Sequence, residues 1–94
     1  MNKFNSPYGL VALTDERKRH ILQFHPDVQG CFRYFAATLA KPDHVTASKH
    51  DSLVIISYRF LPRRKKYLAI VTKIGSLPFV LTAYLVQKPK NATL

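Results

Sequence analysis

The run Phe79-Val80-Leu81-Thr82-Ala83-Tyr84-Leu85-Val86 constrains this chain more than any other stretch, because it reads as an apolar β-strand with two hydroxyls on one face. Side chains alternate across a strand, so Thr82 and Tyr84 share one face while Leu81, Ala83 and Leu85 take the other. A buried strand of this kind needs a sheet around it and a covering layer, which limits the chain to folds that contain both. In a chain with 15 basic and 5 acidic residues, the hydroxyl pair reads as half of an RNA-cleaving site, with a water-facing strand as the simpler alternative.

The rest of the chain supplies the layer and the sheet. Thr14-Asp15-Glu16 is a helix start, a hydroxyl N-cap followed by two acids that complement the helix N-terminus. This helix is expected to stop near His25, since Pro26 disfavours helical geometry in the residue before it. Ile21 and Phe24 are its core contacts, with Arg17, Lys18 and Arg19 in solvent. A second helix is predicted from the stripe Val28, Cys31, Phe32, Phe35, Ala36 and Leu39, with Asp27 as N-cap and Pro42 as its end. Residues 53–60 and 67–74 are rich in β-branched and aromatic side chains and read as strands. Pro62-Arg63-Arg64-Lys65-Lys66 is the hairpin loop between them, and Gly75-Ser76-Leu77-Pro78 turns the chain into the last strand. A weaker fourth strand falls near residues 44–48, and residues 9–13 form a short strand or an extended lead-in.

The expected fold is therefore α+β: two N-terminal helices packed on one face of a three- to four-stranded antiparallel sheet. With 94 residues the chain makes one domain, 1–94, with a folded core over about residues 9–86. Residues 1–8 read as an N-terminal arm and residues 88–94 as a polar tail, neither having apolar periodicity.

A net charge of +10 calls for a polyanionic partner, with nucleic acid first, an acidic protein second and an anionic membrane third. No run is long enough for a transmembrane helix, so no membrane role is expected. Cys31 is alone and sits in the apolar stripe, which makes it a small core residue; with the absence of an apolar leader, it suggests a reducing cytoplasm. Asn91-Ala92-Thr93 is a chance match to a glycosylation sequon. No feature sets an oligomeric state.

Strand parity yields a site. If the helices cover the apolar side, Ser57 and Arg59, Lys73, and Thr82 and Tyr84 are expected together on the open side, two cations and three hydroxyls suited to a phosphodiester. An ordinary solvated sheet face gives the same pattern.

These features resemble a known group. A helix carrying His20, then His25-Pro26, a second helix ending Leu39-Ala40-Lys41-Pro42-Asp43-His44-Val45, and a strand with Thr82-Ala83-Tyr84 are similar to the phage-associated barnase/EndoU/colicin/RelE-like nucleases. The resemblance covers about residues 14–86. It implies helices packed on an antiparallel sheet and metal-independent RNA cleavage, often in toxin–antitoxin or phage-conflict systems. It places the first-helix histidine on His20, the strand cation on Arg59 or Lys73, and the last-strand hydroxyl and aromatic on Thr82 and Tyr84. Pro42-Asp43 reads as a helix stop and turn, and His25 as a local cap or a catalyst. The sheet centre offers no carboxylate, so the base falls to histidine or to the substrate's surroundings.

Histidine suits proton transfer because its ordinary pKa is about 6.5. Arg59 and Lys73 would hold phosphate, Thr82 would hydrogen-bond a phosphate oxygen, and Tyr84 would donate a proton or stack on a base. Asp15, Glu16, Asp27, Asp43 and Asp51 do not cluster as a two-metal nuclease needs, and no Cys/His spacing forms a zinc site. Neither a metal nor a cofactor is expected. Arg63, Arg64, Lys65 and Lys66 at a hairpin tip form a nucleic-acid grip independent of the resemblance, and they also suit an acidic antitoxin-like protein. The leading expectation is thus a metal-independent ribonuclease acting on RNA, through His20, Arg59, Lys73, Thr82 and Tyr84. The alternatives are a non-catalytic RNA- or DNA-binding module and a scaffold for an acidic protein.

Overall fold

The computed structural model of the chain describes residues 1–89, so the Asn91-Ala92-Thr93 sequon and most of the expected tail at 88–94 lie outside the described residues. The elements in chain order are β1 (Asn2–Ser6), β2 (Gly9–Leu13), α1 (Asp15–Phe24), α2 (Phe35–Ala40), β3 (His44–Ala47), β4 (Val54–Leu61), β5 (Lys66–Lys73) and β6 (Phe79–Val86). Two single-turn 3₁₀ segments, Pro26–Val28 and Phe32–Tyr34, connect α1 to α2. All the strands join one six-stranded sheet in the order β1-β2-β6-β5-β4-β3. Pairing is antiparallel except between β2 and β6, which run parallel and meet at Ala12 and Phe79.

This corrects the expected architecture: the sheet is mixed and six-stranded rather than antiparallel with three or four strands, and both helices are short. One cause is at the N-terminus. Residues 1–8 were expected to form an arm, but Asn2–Ser6 pairs with Gly9–Leu13 as a hairpin. Ser6 closes its turn, its hydroxyl donating to the Gly9 carbonyl at 2.8 Å and accepting from the Tyr8 amide at 3.0 Å. Gly9 takes φ +108°, a conformation that L side chains rarely adopt. Phe4 anchors the hairpin by packing on the buried ring of Phe35, 6.1 Å between centroids.

The second cause is Gly30. The stripe from Val28 to Leu39 predicts one continuous helix, yet Gly30 adopts φ +87° and breaks it into two 3₁₀ turns and the six-residue α2. The stripe still does its packing work. Val28, Cys31, Phe35 and Leu39 are all buried, whereas Ala36 is exposed and Phe32 half-buried. Burial pushes the Cys31 thiol above its ordinary pKa, as suits a core residue rather than a nucleophile.

α1 follows its sequence signals at its two ends and buries Ile21, but Phe24, expected in the core, is 60% exposed. The Thr14 hydroxyl accepts from the Arg17 amide at 3.1 Å, and Asp15 and Glu16 occupy the first turn. At the other end the His25 amide donates to the Ile21 carbonyl at 2.7 Å, and Pro26 then prevents a further turn. Thr14→Ala is expected to lower stability by about 1 kcal/mol. A denaturant midpoint indistinguishable from wild type would show that the cap contributes nothing.

α1 and the turn Pro26–Val28 pack against β6, while α2 packs against β1, β4 and β5. All lie on one face of the sheet, where Ile21, Val28 and Phe35 meet Leu68, Ile70 and Val80 in the core. No helix among the described residues is long and apolar enough to cross a membrane.

Candidate functional site

Cross-strand partners share a face, so the register sorts the sheet residues into a covered and an open side. Ser57 pairs with Ile70, and Ile70 with Ala83; all three are buried beneath the helices. The open side carries the neighbouring row, His44, Tyr58, Ala69 and Tyr84 across β3, β4, β5 and β6. Beside it run Thr46, Ile56, Val71 and Thr82 on one flank and Phe60, Tyr67 and Val86 on the other.

The five residues expected to converge are therefore divided. Thr82 and Tyr84 do share the open face, with Lys73 at its far end. Ser57 and Arg59 turn to the covered side, because Tyr58 sends its ring to the open face rather than into the helical core. Ala69 lies fully buried in the cross-strand row between Tyr58 and Tyr84. Burial and the hydrogen-bonded phenol of Tyr58 raise the pKa of Tyr84, so its hydroxyl keeps its proton through the neutral range.

His25, at the C-terminal end of α1, places its ring 5.8 Å from that of Tyr84. His20 stands elsewhere, exposed on α1 with its ring 4.7 Å from Phe24, and it does not line the groove beside Tyr84. The groove beside Tyr84, about 560 Å³ in volume, is floored by Ile56 and Val71 and walled on its far side by Ser48, Lys49 and His50. No carboxylate lines it. Thr46 also borders it, and its buried Oγ1 has no hydrogen-bond partner among the described residues. His50 was not singled out from the sequence, and its position depends on the β3–β4 connection folding back over the sheet.

Lys73 is held by Asp51 in a hydrogen-bonded ion pair. The Lys73 hydrogen bond, then that from the Leu53 amide, lowers the pKa of Asp51. A depressed carboxylate stabilises the fold above its unfolded pKa, about 3.9, and this contribution disappears as pH falls through the lower folded value. Asp51→Asn is accordingly expected to flatten the loss of thermal stability between pH 4 and pH 2. Parallel pH profiles for the two proteins would show that the pair does not couple to folding.

A second groove, about 480 Å³, opens at the β4–β5 hairpin. Arg33, Arg59, Arg63 and Arg64 surround it with Tyr34 and Phe60, and again no carboxylate lines it. Arg64 donates to the Asp27 and Gln29 carbonyls at 2.8 and 3.2 Å, tying the hairpin to the loop after α1. Lys65 sits at φ +54° in the turn and Lys66 begins β5 opposite Leu61; neither lines the groove. The hairpin run read as four equal cations thus separates into groove residues and turn residues, and Arg33 joins from a segment that gave no such signal.

No cluster of three or more His, Cys, Asp or Glu side chains suited to a metal ion occurs among the described residues. Compared with family models, with curated proteins and with solved structures, the chain matches none.

Proposed function

We propose that the chain is a metal-independent ribonuclease that cleaves RNA in the groove on the open face of its sheet. The observation that carries this reading is the pairing of Tyr84, backed by His25, with His50 and Lys49 on the opposite wall of a groove free of carboxylates. Cleavage through the 2′-oxygen needs a base for the 2′-OH, positive charge for the phosphorane, and an acid for the departing 5′-oxygen. In this assignment His50 takes the 2′-OH proton and Tyr84 delivers a proton to the 5′-oxygen. His25 positions the Tyr84 ring, and Lys49 balances the charge on phosphorus. Thr46 and Thr82 offer hydroxyls to the phosphate oxygens or the ribose. His20, Arg59 and Lys73 have no place in this proton-transfer set.

The second reading, an RNA-binding module without cleavage, is favoured by the arginine groove, which needs no acid or base to act. End-labelled RNA incubated with the protein in EDTA separates the two. Fragments ending in 2′,3′-cyclic phosphate are the expected result, while RNA that shifts on a gel but stays intact would favour binding alone. A toxin role with an acidic antitoxin-like partner belongs to the same proposal, since a net charge of +10 suits such a partner.

A further inference from the structure

We infer that the arginine groove at the β4–β5 hairpin is a separate docking subsite for a single-stranded RNA segment, joined to the open face through Phe60. The inference rests on the nucleic-acid reading above but not on cleavage.

The groove combines two kinds of recognition. Arg33, Arg59 and Arg63 bring three guanidinium groups to one concavity, and a guanidinium fork matches the geometry of phosphate oxygens. Tyr34 adds aromatic surface on the covered side, while Phe60, whose ring turns to the open face and is 42% exposed, offers a base a stacking surface at the β4 edge, where its amide donates to the Asp43 carboxylate at 2.8 Å. Arg33 lies over the Tyr34 ring at 5.2 Å, so this cation is already oriented. Arg64 serves differently, its hydrogen bonds to Asp27 and Gln29 fixing one wall against the other before any ligand arrives.

Phe60 also belongs to the open face. Its ring lies 5.2 Å from Tyr67, whose ring lies 5.9 Å from His44, so aromatic side chains continue from the arginine groove toward Tyr58 and Tyr84. From Phe60 to Ile56, on the floor of the other groove, β4 advances about 13 Å. A strand of RNA with its backbone on the arginines can therefore lay successive bases along this row. Duplex RNA, with its bases stacked and paired inside, cannot use it. A second copy of this chain is a poor occupant, since each copy carries +10.

The test measures binding of a single-stranded 2′-O-methyl octamer, which cannot be cleaved through its blocked 2′-oxygen. Arg33→Ala and Arg63→Ala are each expected to weaken binding about tenfold and to lower the slope of log affinity against log salt by roughly 0.7. Arg19→Ala, which removes the same charge from the exposed side of α1, serves as the control for diffuse attraction. Equal losses in all three variants would overturn the subsite, as would an affinity unchanged by Arg33→Ala and Arg63→Ala. A mononucleotide that binds as tightly as the octamer would also overturn it, in favour of a small-nucleotide pocket. Because the probe is never cut, failure of cleavage elsewhere does not affect this result.

Discussion

Tyr84→Phe and His50→Ala are expected to reduce RNA cleavage by roughly 10²- to 10⁴-fold each, the range for loss of a positioned acid or base. Tyr84→Phe is the more informative, because it deletes only the hydroxyl and leaves the ring against His25 and over Ala69. If Tyr84 donates to the departing 5′-oxygen as proposed, the variant should lose rate on substrates with a poor leaving group more than on those with a good one. His25→Ala is expected to fall between wild type and Tyr84→Phe, since His25 acts through the tyrosine. The measurement is single-turnover cleavage in EDTA, with circular dichroism to confirm that each variant folds. If His20→Ala abolishes cleavage while His25→Ala and His50→Ala retain it, the reacting atoms lie by the outer side of α1 and the groove assignment fails.

Phe35→Ala is expected to be the most damaging single change to the fold, costing about 3–5 kcal/mol. Its side chain is fully buried, 4.9 Å from the ring of Phe32 and 6.1 Å from that of Phe4. It therefore joins α2, the connecting turns and the N-terminal hairpin at one point. In a domain whose total stability is of order 5–15 kcal/mol, such a loss lowers the melting temperature by about 15 °C or more. Phe35→Leu, which keeps most of the volume, should lose much less. A melting temperature within about 4 °C of wild type for Phe35→Ala would mean that the core re-closes around the cavity.

The parts legible in the sequence were those set by local chemistry. Thr14 and Pro26 bound α1, and the β-branched runs gave β4, β5 and β6. Two features of the fold were not legible. Asn2–Ser6 has little apolar pattern of its own and becomes a strand through the Ser6–Gly9 turn and the seat of Phe4 on Phe35. Its turn signal, Ser6-Pro7-Tyr8-Gly9, was available and outweighed by the lack of periodicity. Gly30 was present in the apolar stripe, but the stripe's 3.6-residue spacing survives the break, so periodicity alone did not reveal it.

In the site, parity correctly grouped Thr82 with Tyr84, yet it could not fix the phase of β4 against β6. Tyr58 counts as apolar in a pattern, yet the register puts it on the open face in a row with Ala69 and Tyr84. His50 and Arg33 were beyond reach for the same reason: each enters its groove through a connecting segment whose path is not encoded by spacing.

The strand order carries a consequence for how the molecule comes into being. β6 follows every other strand in the chain but lies inside the sheet, with β5 on one side and the hairpin that begins the chain meeting it on the other. On a ribosome, the opening hairpin must wait for nearly the whole domain to be made before its parallel neighbour exists. Tyr84 and Thr82 arrive in that same final segment. An emerging chain therefore has neither a closed core nor a complete open-face groove until β6 is translated and docked, so cleavage of the kind proposed for that groove would begin with the completion of folding rather than during synthesis.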